Sequence, residues 1–134
     1  MTVFVDTSAL LAVLDRSDDR HPAARRIWTD ALEAGHTLVC HNYILVETSA
    51  VLARRIGMDA VRVFERDVVP VLRLVWIPRE IHDAAVGAHL AAGRRALSLV
   101  DCASFEIMRR TGLRKVFAFD PRFESSGFEP LGPA

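Results

Sequence analysis

Asp6 stands directly after the apolar, β-branched run "TVFV" (2–5), and Asp120 directly after "KVFAF" (115–119). Glu47 falls in the early turns of the helix expected after the short run "TLVC" (37–40), and Asp101 in the first turn of a helix opened by Ser98. In a parallel sheet the strand ends and the N-termini of the crossover helices lie at the same, carboxyl edge, where such sheets bind ligands. The spacing therefore predicts that these acids, drawn from separate stretches of chain, converge on one rim. Asp101 shares a helix face with Ser104, Phe105 and Met108, and Glu47 shares one with Tyr43, Ile44, Ala50 and Val51. Carboxylates crowded on mostly apolar faces are expensive and repel one another. Protonation or a divalent cation relieves that. Hard oxygen ligands without a neighbouring His or Cys point to Mg²⁺ or Mn²⁺ and away from zinc. One or two such ions suit phosphodiester hydrolysis by a metal-activated water, with no protein nucleophile.

Each acid also has a purely structural reading. Asp6 can cap the helix that starts at Thr7, Asp101 can form a capping box with Ser98, Asp120 can open the turn "DPRF", and Glu47 can pair with Arg54 or Arg55. For any single residue the structural reading is preferred; for all of them on one predicted edge, the metal site is. Thr7 and Ser8 offer hydroxyls to a metal-bound water, to a phosphate or to the helix cap. Arg94 and Arg95, just ahead of Ser98, and Arg122, just after Asp120, are candidates to grip flanking phosphates. His41 lies near the rim, within reach of substrate or of a strand-end hydrogen bond. No two histidines stand at i, i+4, and no P-loop, dinucleotide fingerprint or nucleophile elbow occurs.

The elements that must position these residues alternate between strand and helix. Strands are expected at 2–5, 37–40, 72–77 and 115–119, with "FEPL" as a short edge strand. Helices are expected over 7–14, from Pro22 to Gly35, from an Asn42 cap to about Ile56, from an Asp59 cap to a break at Pro70, from Pro78 to Gly93 and from Ser98 to Gly112. This order is that of an α/β fold, a mainly parallel sheet of four or five strands with helices on both faces. At 134 residues the chain suits one domain over 1–134. Acidic and basic residues balance at 17 each, which excludes a uniformly basic nucleic-acid binder; Lys115 is the single Lys among otherwise Arg cations. The apolar fraction of 51% favours an oligomer or a tight partner. Cys40 and Cys102 read as buried thiols of a reducing compartment. With no signal-peptide pattern and no membrane-length apolar run, a soluble cytoplasmic protein is expected.

Four segments, "VFVDTSALLAVLD", "YILVETSAVL", "LSLVDCASFEIMRRTG" and "VFAFDPRFESSGFEPL", resemble the signature segments of PIN-domain ribonucleases, and most closely those of VapC-type toxins of bacterial toxin–antitoxin pairs. The resemblance covers about residues 2–131. It implies a three-layer α/β/α fold, RNA cleavage dependent on Mg²⁺ or Mn²⁺, a homodimer, and inhibition by a small antitoxin. By motif it makes Asp6, Glu47, Asp101 and Asp120 the metal-site acids, and it matches Ser8 to a hydroxyl common after the first acid. Ala118 departs from the family pattern, which has a hydroxyl residue two before the last acid. The apolar helices around Val61 to Leu72 become candidate dimer or antitoxin surface. Two rivals are weaker. An aspartate-based phosphatase or phosphoryl receiver wants a D-x-D setting and a strand-end Lys, whereas Asp6 is followed by Thr7-Ser8 and Lys115 opens its strand. An inactive RNA-binding scaffold gives no reason for all of the acids to be kept.

Overall fold

The structure, a computed structural model, describes residues 1–132. Strands β1 (Thr2–Val5), β2 (Thr37–His41), β3 (Arg73–Val75), β4 (Lys115–Phe117) and β5 (Glu129–Pro130) form one sheet in the order β3-β2-β1-β4-β5. Every pairing is parallel. The register sets Val3 against Leu38 on one side of β1 and Val5 against Phe117 on the other. β1 is central, and Val3, Phe4 and Val5 are wholly buried. That is why this strand reads as an unbroken apolar run without alternation.

The helices are α1 (Thr7–Leu14), α2 (His21–Glu33), α3 (Asn42–Arg55), α4 (Met58–Val63), α5 (Arg79–Ala92), α6 (Leu99–Thr111) and α7 (Pro121–Ser125). α1 packs on α2 and α3, α3 on α4, and α5 on α6. Right-handed crossovers place the first group on one face of the sheet and α5 to α7 on the other, giving three layers. α1 buries Thr7, Ala9, Leu10, Leu11 and Ala12, so it is apolar nearly all round. No helix among the described residues is long and apolar enough to cross a membrane.

Several expected boundaries shift for identifiable reasons. His41, not Asn42, caps α3, its ring accepting from the Ile44 amide at 3.3 Å. Asn42 is thereby freed to accept from the Ile77 amide at 2.7 Å. The Ile77 amide is thus paired outside the sheet, and β3 ends at Val75 instead of 77. Gly57, at φ 123°, precedes α4 in place of an Asp59 cap. α4 runs on into a π-helical turn over Phe64–Val68, and Pro70 sits inside a short 3₁₀ turn, Val69–Val71. This path turns Phe64, Val68 and Leu72 into the core. The most exposed large apolar side chains are instead Leu90, Trp76 and Val46. In α5 the buried residues are Ile81 and Ala85. The "DPRF" turn continues into α7, held against α6 by Phe105, Phe123 and Phe128, with Phe105 edge-on to Phe123 at 5.0 Å and stacked on Phe128 at 5.7 Å.

Candidate functional site

Asp6, Glu47, Asp101 and Asp120 all line one pocket at the carboxyl edge of the sheet, together with Thr7, Ser8, Leu11, Ala96, Ser98 and Arg122. Asp6 leaves β1 and caps α1. One of its oxygens accepts from the Ser8 amide at 3.0 Å and from the Ser8 hydroxyl at 2.6 Å. Its own amide donates to the Phe117 carbonyl at 3.0 Å, which extends the β1–β4 pairing to the edge. Burial pushes the Asp6 carboxyl up to about 6, and repulsion from Asp101 and Asp120 adds to that, against the opposing Ser8 hydrogen bonds. The Ser8 hydroxyl also accepts from the Phe119 amide at 3.0 Å. One side chain thus orients the first acid and fixes the segment that carries the last.

Asp101 is the third residue of α6, and its capping box with Ser98 is complete. The Asp101 carboxylate accepts from the Ser98 amide and hydroxyl, both at 3.0 Å, and the Ser98 hydroxyl accepts from the Asp101 amide at 3.1 Å. Asp120 caps α7 and accepts from the Arg122 amide at 2.9 Å. The Arg122 guanidinium folds back on Asp120, with Nε at 2.9 and 3.1 Å from its two oxygens and Nη2 at 2.6 Å. Nη2 also stands 3.8 Å from Asp101. Burial raises the Asp120 carboxyl, but the Arg122 hydrogen bonds outweigh that and hold it below the usual range. For Asp6, Asp101 and Asp120 the capping role and membership of the pocket therefore coincide; the two readings do not compete.

Glu47 reaches the pocket from the second turn of α3 with its side chain partly exposed. The Thr7 hydroxyl is buried without a hydrogen-bond partner among the described residues. Arg94 and Arg95 are exposed in the loop before Ser98, outside the pocket lining. Ala118 is buried and brings no hydroxyl. His41, at the end of β2, takes the hydrogen-bonding role and is closed to substrate. It is wholly buried, its Nε2 lies 2.8 Å from the Ser104 hydroxyl, and burial lowers it to about 4. As they stand, no three His, Cys, Asp or Glu side chains among the described residues are gathered closely enough to hold a metal ion. The Arg122 guanidinium lies against two of the acids instead. What sequence reasoning missed is the positioning work of Ser98. The Ser–x–x–Asp spacing signals it, once a cap is allowed to orient a site residue.

The chain and its fold have known relatives. The PIN domain family model matches residues 3–129. The chain is 31% identical over 132 residues to the "23S rRNA-specific endonuclease VapC20" of Mycobacterium tuberculosis, in strains CDC 1551 / Oshkosh and H37Rv, covering 98% of each chain. The crystal structure of that protein, described as a sarcin-ricin loop cleaving toxin, superposes with a TM-score of 0.85 at 30% identity, over 98% of this chain and 99% of that one. FitAcB from Neisseria gonorrhoeae superposes with a TM-score of 0.66 at 14% identity, over 98% and 97% of the two chains, a likeness of fold alone. With its sheet order, its edge of acids and a match across nearly its whole length, the chain belongs to the PIN-domain family.

Proposed function

We propose that the protein is a Mg²⁺- or Mn²⁺-dependent endoribonuclease, the toxin of a toxin–antitoxin pair. The observation that carries this reading is the meeting of Asp6, Glu47, Asp101 and Asp120, from four separate stretches of chain, in one pocket. The donor set fits a hard divalent cation. It is all oxygen, it includes a buried carboxyl whose pKa is raised to about 6, and beside it the Thr7 hydroxyl lacks a partner among the described residues. When bound, one or two ions supply an acidified attacking water and neutralise charge at the leaving oxygen. Asp6, Asp101, Asp120 and Glu47 would hold the ions, drawn closer together than they stand in the metal-free structure. Ser8 and Ser98 fix the rotamers of Asp6 and Asp101, so little reorganisation is left for the reaction. Arg94, Arg95 and Arg122 bind flanking phosphates; the Ser8 hydroxyl is spent on Asp6 and the Phe119 amide, and the Thr7 hydroxyl is buried beside Asp6. Alone, the acids repel a polyanion, which makes cleavage conditional on the cation.

VapC20's description as 23S rRNA-specific supports an RNA substrate. The partners in this reading are RNA, a small antitoxin and a second copy of the chain, acting in the cytoplasm. The test is cleavage mapping on total RNA, with reads aligned to the 23S sarcin-ricin loop. Wild type should cut with Mg²⁺ or Mn²⁺, and Asp101→Asn should not. Equal cutting by Asp101→Asn, or cutting that persists in excess chelator, would overturn the proposal.

A further inference from the structure

Arg122 is the sole basic residue lining the acidic pocket among the described residues. Arg20, the other cation that acts on Asp120, lies over the Phe119 ring instead, 5.6 Å from its centroid. Arg122 does not reach outward as a phosphate-binding rim residue should. Its fork engages both oxygens of Asp120, and Nη2 bridges toward Asp101. An ion ligated by Asp120 needs an oxygen lone pair that Arg122 now occupies, and two cations crowded on one carboxylate repel. The side chain is free to leave, since it is one-third exposed (34%) and springs from the first turn of α7 at the pocket mouth.

We infer that Arg122 is an internal counter-ion competing with the divalent cation for Asp120 and Asp101, so that metal loading and release of Arg122 toward substrate phosphate are one coupled event. The inference rests on the metal-centre reading above. In the metal-free protein Arg122 offsets part of the charge of the clustered acids. Loading displaces it, and the freed guanidinium is then beside the cleft when RNA arrives. By linkage, whatever draws Arg122 out, such as a phosphate group, tightens metal binding by the same factor.

Calorimetric titration with Mn²⁺ at fixed ionic strength tests this on the folded wild type, Arg122→Gln, Arg122→Lys and Asp101→Asn. Arg122→Gln should bind Mn²⁺ about three- to tenfold more tightly than wild type, the range expected for freeing a carboxylate from a partly exposed ion pair. Arg122→Lys keeps the charge and loses the fork, so it should gain a smaller factor; if Arg122→Gln does not fold, any gain in Arg122→Lys carries the test. Asp101→Asn should lose binding. Unchanged or weaker Mn²⁺ binding in both Arg122 variants, with binding still lost in Asp101→Asn, overturns the counter-ion role and leaves the metal centre standing. Absence of Mn²⁺ binding in every protein, Arg122→Gln included, overturns both.

Discussion

Asp6→Asn should make the metal-free protein more stable while destroying its activity. Burial lifts the Asp6 carboxyl from its ordinary 3.8 to about 6. The folded state therefore holds a proton that the unfolded state has shed across that interval, and stability falls as pH rises through it. Above it both states are ionised and the folded state bears the whole penalty, about 3 kcal/mol. Asn removes the charge but keeps the cap, because its amide oxygen can still accept from the Ser8 amide and hydroxyl that Asp6 uses. The expected gain at pH 7 is about 1–3 kcal/mol, or roughly 4–12 °C in Tm for a chain of this size. At pH 4 the wild-type penalty shrinks to about 0.5 kcal/mol, so the two melting curves should nearly coincide. Thermal melts in chelator at pH 4, 5, 6 and 7 read this directly. Adding Mn²⁺ should stabilise the wild type and leave Asp6→Asn behind. A variant less stable than wild type at pH 7, or an advantage undiminished at pH 4, would refute the claim that Asp6 is held at a cost to folding.

Three further outcomes are expected. Ser8→Ala removes the hydroxyl that donates to Asp6 and accepts from the Phe119 amide; urea unfolding should show a loss of about 1–3 kcal/mol, since a part-buried amide is left unpaired. Phe105→Ala empties the centre of the ring cluster that seats α7; it should cost about 3–5 kcal/mol in the same assay and weaken Mn²⁺ affinity, because Asp120 then loses its support. Excess chelator should abolish RNA cleavage by the wild type, and replacing Mg²⁺ or Mn²⁺ should restore it, read by primer extension across the cut sites.

The strand-helix alternation and the gathering of the four acids at one edge were legible because both follow from local rules. Buried parallel strands read as apolar runs, and polar residues just beyond them can only lie at the carboxyl edge. Even the five-residue α7 could be suspected, since Asp120 and Pro121 are a cap and a first-turn proline. What stayed hidden depends on partners far away in sequence. Nothing near Asn42 reveals that Ile77 will claim its side chain, so the α3 cap and the end of β3 were both misplaced. The π turn at Phe64–Val68 is a compromise that brings Phe64, Val68 and Leu72 inward together, which no single periodicity encodes. Arg122 was legible as a nearby cation, but not in its direction. A side chain in the first turn can point to solvent or back over its own cap, and the pull of two carboxylates decides between them.

The Ser8 hydroxyl clasps an amide 111 residues further along the chain. On a ribosome the amino-terminal segment emerges first, so Asp6 waits until β4 and α7 have folded into place beside it. Until then the four acids share no pocket, and any chemistry that needs them together waits on the last stretch of the chain to fold.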